Sequence, residues 1–289
     1  ATFPPPQRGE CKRRAPRLWS TIPPQGASGV AVRDLTVCIT AITRPEVLKL
    51  TLRSFASRCF SRYDRVHIIA NVDPLGSDTA SRDDVVRLLN VFDSRGQALV
   101  NTPETGGFAR AVKWVWSQVD APYFLHLEDD WFLNRPVDVD RVSRLILGGE
   151  ADIVRLYLRR YSPPPSTGEF SLNPFFMTAT AAHDLASRMN DQSDPEKQIR
   201  GLFFAEAANL PRIAFHGKPG DPADVTDIGT LWRKSQCLRK SYVKATDDSG
   251  ALSVWQKTAA TNLRSRLSDL SYATRFNLSM LRYRMRLMG

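Results

Sequence analysis

The 289-residue chain has only four cysteines, Cys11, Cys38, Cys59 and Cys237, and none of them stands in a CxxC spacing. That implies neither a structural zinc site nor a disulfide scaffold and suits a reducing setting. Long apolar runs are missing too. No stretch reaches the ~18 to 20 residues that span a bilayer, and the N-terminal region lacks the apolar core of a signal peptide. Internal repeats, zinc-finger spacings and recognisable single-strand-binding motifs are absent as well. The expectation is a soluble, cytoplasmic protein.

What is present is a globular balance of 42% hydrophobic against 24% charged residues, with a formal net charge of +10. That predicts one large domain with appendages, and the charge favours anionic partners: nucleotide, phospholipid surface or nucleic acid. The basic residues gather at the ends. Residues 1–30 read as a basic, Pro-rich arm without apolar periodicity. Residues 261–289 set Arg264, Arg266, Arg275, Arg282, Arg284 and Arg286 against the single acid Asp269, interleaved with Leu, Phe, Met and Tyr. This basic amphipathic segment either rests on anionic lipid, giving peripheral membrane contact, or packs as an ordinary surface helix.

Between the ends, strand and helix patterns alternate. "LTVCITAI" (35–42) is a β-branched run, followed by Pro45 at a helix start and a stripe through Val47, Leu48, Leu52, Phe55 and Cys59. "RVHIIANVD" (65–73), "ALVNT" and "PYFLHLE" (122–128) read as strands, with helices over 80–93 and 107–119. This spacing implies βαβ units and an α/β fold: a Rossmann-like, doubly wound, mostly parallel sheet with helices on both faces. Ligands then sit beyond the carboxyl ends of the strands, which places Asp73, the Gly106-Gly107 turn and Glu128 to Asp130 on one rim. Further on, the pattern predicts a helix over 138–147 and a strand over 152–158. The loop "SPPPSTGEF", a short strand turning into a helix from "NPFFMTATAAHDLASRM", a helix over 195–210 and a strand ending at His216 follow, and the polar stretch "KPGDPADVTDIG" reads as a loop.

"YFLHLEDDWFL" drives an apolar strand into three carboxylates. In an extended chain His126, Glu128 and Asp130 share one face and Asp129 the other. Two carboxylates on one edge suit a hard divalent cation shared with substrate phosphates, or a solvated strand end.

The order of these segments resembles the nucleotide-sugar-dependent glycosyltransferases of the GT-A fold, particularly the family-two-like group. "LTVCITAITRPEVLKLTLRSF" is similar to that group's opening strand and helix, "VHIIANVDP" to its second strand, "NTPETGGFARAVKWVW" to its Asn-x-Gly-x-x-x-Ala-Arg segment, and "LHLEDDW" stands where its Asp-x-Asp metal motif lies. The likeness covers roughly residues 34–135. It departs at Asn71-Val72-Asp73-Pro74, where the group often has paired Asp, and at Glu128, which replaces an Asp. The resemblance implies a metal-dependent, inverting transfer of sugar from a UDP-, dTDP- or GDP-sugar to a hydroxyl of a glycan or glycolipid. It assigns 31–135 to nucleotide-sugar binding and 136–260 to acceptor binding and catalysis.

The residues it implies are Thr43, Arg44, Asp73, Gly107, Arg110, Glu128 and Asp129 for the nucleotide-sugar. Asp130, with Glu128 and His216, would hold Mn2+ or Mg2+, and Glu196 or Asp194 would be the base that deprotonates the acceptor. Residue chemistry alone leaves blander readings open. Ser193 or Asp194 caps a helix with Pro195 at N1 and Glu196 in its first turn; Arg44 and Arg110 are solvated; His216 is structural. Arg233, Lys234, Arg239 and Lys240 either close over a diphosphate or solvate a helix. A sugar-phosphate nucleotidyltransferase would need a Gly-rich basic loop after the first strand, and "AITRPEV" offers none. A non-enzymatic nucleic-acid-binding protein is the other alternative. It places its basic charge in the tails, away from the rim, and no nucleic acid is expected as a partner.

Overall fold

The computed structural model describes residues 34–158, 170–191, 193–205, 211–218, 220–244, 251–257 and 263–288, which all belong to one compact unit. The basic arm, all of the Pro-rich loop but Phe170, and the end of the helix expected to reach residue 210 lie outside the described residues.

The apolar runs form β1 (Asp34–Thr43), β2 (Arg65–Gly76), β3 (Leu99–Asn101) and β4 (Tyr123–Glu128). Between them lie α1 (Pro45–Arg58), α2 (Arg82–Phe92) and α3 (Phe108–Ser117). Then come β5 (Trp131–Leu133), α4 (Val139–Leu147), β6 (Ile153–Arg155), β7 (Phe175–Thr178), α5 (Ala179–Arg188), α6 (Pro195–Ala205) and β8 (Ile213–Phe215). Among the described residues the main sheet runs β3-β2-β1-β4-β7-β6-β8. Only β7 opposes its neighbours; the other pairings are parallel.

Period-two alternation sends β1 and β4 side chains to both faces, and each face is dry. Leu35, Val37, Ile39, Leu125 and Leu127 pack against α1, α2 and α4 through Leu48, Leu52, Phe55, Val85, Leu89 and Val142. On the other face Cys38, Phe124 and Phe175 pack against α3, α5 and α6 through Val112, Trp116, Leu185 and Ile199. The doubly wound, mostly parallel layer expected from the alternation is present.

The second half departs from the expectation. The strand expected over 152–158 narrows to β6. The polar stretch ending "VTDIG" is not loop throughout: it forms β9 (Val225–Asp227), antiparallel to β5, and runs into α7 (Gly229–Ser235). A further antiparallel pair, β10 (Leu238–Lys244) with β11 (Ala251–Lys257), leads to α8 (Leu263–Arg286). Helix α7 is held by apolar packing, since Trp232 and Ile228 sit with Val47 and Leu50 of α1, Phe132 of β5 and Met280 of α8.

Trp232 also donates its indole N–H to Glu46 at 2.5 Å. Trp232→Ala is therefore expected to cost about 3–5 kcal/mol in urea unfolding. A loss under about 1 kcal/mol would mean that α7 is not docked in this way.

Candidate active site

The rim at the carboxyl ends of β1, β2 and β4 is built from the turn after Thr43. Pro45 opens α1 and keeps Arg44 out of the helix, at φ -144 and ψ 67, and its side chain runs beneath the end of β4. There Arg44 meets Asp129 with both Nε, at 2.8 Å, and Nη2, and it reaches Asp130 at 2.8 Å. The backbone N–H of Ile42 gives Asp129 another hydrogen bond at 3.0 Å. All three charged residues are buried, Arg44 and Asp130 at 5% exposure and Asp129 at 2%. Burial alone would weaken the Arg44 charge, but Asp129 and Asp130 outweigh it and hold the guanidinium more firmly protonated than usual.

Polar groups of α1 fix the turn from below. Thr51 donates to the Asp129 carbonyl at 2.9 Å, and Ser54 accepts from the Leu133 N–H at 2.9 Å.

From above, α7 closes on the same turn. Arg233 donates to Asp130 at 2.9 Å, and the Ile228 N–H donates to the Asp130 carbonyl at 2.9 Å. Asp227 accepts from the N–H groups of Gly229 and Thr230 at 2.8 and 2.9 Å, anchoring the helix start. Position 229 admits only glycine, because a Cβ there would stand 1.9 Å from Asp130 Oδ2. Beside this cluster, Gly76 has φ +134, and a Cβ on it would lie 2.4 Å from the Thr43 carbonyl, so glycine lets the end of β2 close over the end of β1. Thr43 itself accepts from the Ser77 N–H at 2.7 Å through that carbonyl.

Glu128 lies on the opposite face from Asp129, as strand alternation requires, beside Thr40 of β1. Its Oε2 accepts from the Trp131 indole at 3.0 Å. Burial pushes its carboxyl well up, reinforced by the charges of Asp130, Glu196 and Asp129, while the Trp131 hydrogen bond pulls the other way. Glu196 is thus close enough for its charge to be felt at Glu128. It also accepts from the Leu172 N–H at 2.7 Å. Asp194 accepts from the Lys197 N–H at 3.2 Å and so takes the capping role at the start of α6.

Asp73 accepts from the Gly107 N–H at 2.9 Å and from Asn71 at 2.8 Å, so its carboxylate already occupies the N-terminal end of α3. Arg110 folds back onto the carbonyls of Thr105 and Gly106, both at 3.0 Å. Asp73, Gly107 and Arg110 line one side of a 590 Å³ cleft that continues along α3 past Asn71, Asn101 and Trp114 to His183 of α5. That volume suits a small organic ligand.

His216 lies elsewhere. It sits by Asp224, at the far end of the β5–β9 ladder from Asp227, with Nδ1 3.0 Å from Asp224 and Nε2 accepting the Asp138 N–H at 2.9 Å. Both ring nitrogens are engaged, so the expectation of a metal-ligating His216 gives way to a structural one.

The remaining donors do not fit a divalent cation as they stand. Asp130 Oδ2 carries two guanidinium groups, both Asp129 oxygens face Arg44, and Glu128 Oε2 is taken by the Trp131 indole. Among the described residues no three His, Cys, Asp or Glu side chains are grouped to hold a metal. The positive charge at the rim is instead that of Arg44 and Arg233. Two buried polar atoms there have no partner among the described residues, Thr40 Oγ1 and Arg44 Nη1, and such atoms are uncommon in a folded core.

Sequence reasoning put Asp73, the Gly106-Gly107 turn and Glu128 to Asp130 on one rim and left Arg44 either at the nucleotide or in solvent; the structure buries Arg44 against Asp129 and Asp130. That reasoning missed the contributions of Thr40, Thr51, Ser54, Glu46 and Trp232. The clearest available signal for α7 was Asp227 followed two and three residues later by Gly229 and Thr230, the pattern of an Asx turn.

No family model matches the chain, and no curated protein matches it. Among solved structures it is similar to S. aureus TarS 1-349 in complex with UDP, with 14% identity, 70% of this chain and 63% of that chain covered, and a TM-score of 0.49. It is similar to the mannosyltransferase PcManGT from Pyrobaculum calidifontis in complex with GDP-Man and Mn2+, at 11% identity, 71% and 61% coverage and a TM-score of 0.44. A CMP:2-keto-3-deoxy-manno-octonic acid synthetase complexed with CTP matches at 13% identity, 66% and 93% coverage and a TM-score of 0.41. The chain thus spans under two thirds of the TarS chain. All three likenesses are too distant to transfer a ligand or an activity.

Two outcomes check this geometry. The raised Glu128 carboxyl is neutral in both states well below its ordinary value of 4.5. Above that value the unfolded chain ionises first, so the folded state loses stability as pH rises toward the native value. Glu128→Gln is therefore expected to raise the melting temperature at pH 8, with the gain shrinking toward pH 4.5; an equal effect at both would contradict the assignment. Gly229→Ala is expected to displace α7 and destabilise the fold by about 1–3 kcal/mol in chemical unfolding, where a neutral result would rule out the tight Asp130 approach.

Proposed function

We propose that this chain is a glycosyltransferase that moves a sugar from a nucleoside-diphosphate sugar to a hydroxyl of a glycan or glycolipid. The observation that carries the reading is the rim. A carboxylate turn at the end of β4 is neutralised by two arginines and flanked by the ends of β1 and β2, at the place where an open α/β sheet binds ligands. The adjoining cleft, lined by Asp73, Gly107 and Arg110, supplies the volume that a nucleotide needs.

In this reading, Asn71 and Asp73 face the base and ribose, and the Thr43-Arg44 turn with Arg233 faces the diphosphate. The leaving diphosphate gathers negative charge as the glycosidic bond to it breaks, and Arg44 and Arg233 cancel the carboxylate charges of Asp129 and Asp130 that would otherwise repel it. Glu196 takes the acceptor proton. Attack on the face of the sugar opposite the leaving group gives inversion. Glu128, held by its hydrogen bond from the Trp131 indole, positions the sugar. Asp194 holds the start of α6 and so orients Glu196.

The test is melting temperature with UDP, dTDP, GDP and CMP, each with Mn2+ and again with EDTA, since a ligand of the folded state must raise it. A rise with one nucleoside diphosphate is expected, and no rise with any of them would sink the donor reading. With the active donor, Glu196→Gln is expected to lower kcat by about 10²–10⁴-fold with donor binding intact. Asp194→Asn should lose far less, and equal losses in the two variants would remove Glu196 from the base role.

A further inference from the structure

From residue 271 on, helix α8 and the turn that follows it carry two apolar faces, of which one is covered. Phe276, Met280, Tyr283 and Leu287 pack onto α7, α1 and β5, with Met280 at 5% exposure and the Tyr283 and Phe132 rings 4.6 Å apart. Leu278, Leu281, Met285 and Met288 are exposed at 62%, 54%, 53% and 81%. Their spacing of three, four and three residues puts them in one stripe. Starting two residues after Phe276, it points nearly opposite to the docked face at about 100° per residue. The other large apolar side chains exposed among the described residues, Leu75, Val91, Leu99 and Leu147, lie on four separate elements. A contiguous exposed stripe marks a contact surface, whereas scattered residues do not.

The borders of the stripe name the partner. Arg275, Arg282 and Arg286 line one side and Arg284 the other; all four are exposed, and no acid follows Asp269 in the chain. A second copy docking through the same stripe would bring the two arginine rows together, and an apolar pocket on a neutral protein would leave them unmatched. An anionic lipid surface satisfies both features at once, with phosphates for the guanidinium groups and an acyl boundary for the stripe. No helix of the described residues is long and apolar enough to cross a membrane, so the contact is parallel to the surface.

We infer that α8 lies in the plane of an anionic bilayer, with Leu278, Leu281, Met285 and Met288 at the headgroup–acyl boundary and Arg275, Arg282, Arg284 and Arg286 on lipid phosphates. The inference does not depend on the donor chemistry. It does bear on it, because α8 packs on α7, whose Arg233 holds Asp130. A protein seated this way presents its rim one helix away from the lipid surface, a position suited to a lipid-linked acceptor.

The experiment is flotation of the full chain with vesicles of phosphatidylcholine alone, or of phosphatidylcholine and phosphatidylglycerol in equal parts, at low and at high salt. Binding to the anionic vesicles is expected to exceed binding to the neutral ones by about tenfold or more and to fall with salt. Leu281→Ser with Met285→Ser, both at exposed positions, should abolish flotation while leaving the melting temperature unchanged. Arg282→Gln with Arg286→Gln should weaken it on anionic vesicles only. Flotation that survives the serine pair would place the contact in another basic segment and overturn the inference. So would equal binding to both vesicle types, no binding to either, or a concentration-dependent dimer in solution that the serine pair dissolves.

Discussion

A single buried guanidinium organises the rim. Arg44 leaves water to sit between Asp129 and Asp130 at 5% exposure, and such a charge is tolerable only when its partners are close and well aligned. Asp129 meets it with both oxygens and Asp130 with one. That arrangement holds the end of β4 against the end of β1, since Asp129 also accepts from the Ile42 N–H and its own N–H donates to the Thr40 carbonyl. The Trp232 ring lies over the guanidinium, 5.3 Å from its centroid, so α7 is the lid of the ion cluster as well as a neighbour in the apolar core.

The same arrangement decides what chemistry the rim offers. Three carboxylates in succession at the end of a strand suggest a cation site, and a cation is indeed there: it is the protein's own. Arg233 completes the neutralisation of Asp130, and Glu128, on the other face, has its carboxyl pushed well up by burial and by the neighbouring charges of Asp130, Glu196 and Asp129. The rim is therefore held in place, with the Asp129 and Asp130 charges already matched, before any ligand arrives. The segment that carries Arg233 is clamped between the carboxylate turn and α8, so the cluster, α7 and the terminal helix form one continuous packed series.

The first half of the fold was legible because its signals are local. β1, α1, β2 and β4 each declare themselves by periodicity, and Pro45 marks a helix start that the structure keeps. Alternation also placed Glu128 and Asp129 on opposite faces correctly. Asp130 escaped that logic because the chain turns after Glu128, which brings Asp130 to the Arg44 side. The helix α7 was illegible for a different reason. Its seven residues, Gly229–Ser235, are too few for periodicity, and it is stabilised by Asp227, Asp130 and Trp232 contacts that link distant parts of the sequence. His216 looked like a ligand because a strand end beside aspartates is where one would be sought; only the three-dimensional pairing with Asp224 and Asp138 shows both nitrogens in use. Asp73 was read as facing a ligand, and it lines the cleft while also accepting the Gly107 N–H of its own chain, a contact that periodicity does not reveal. The two arginine-flanked faces of α8 were visible as composition, but which stripe is covered depends on the packing of α1, β5 and α7.

The most direct measurement is the unfolding free energy of Arg44→Met beside Asp129→Asn and the double variant. If Arg44 is the charge on which the rim depends, the single Arg44→Met change leaves the buried Asp129 without a cation and Asp130 with Arg233 alone, and costs about 3–5 kcal/mol, of which adding Asp129→Asn restores a clear part. A loss within about 0.5 kcal/mol, or strictly additive single changes, would show that the carboxylate turn holds together without Arg44 and would contradict the account.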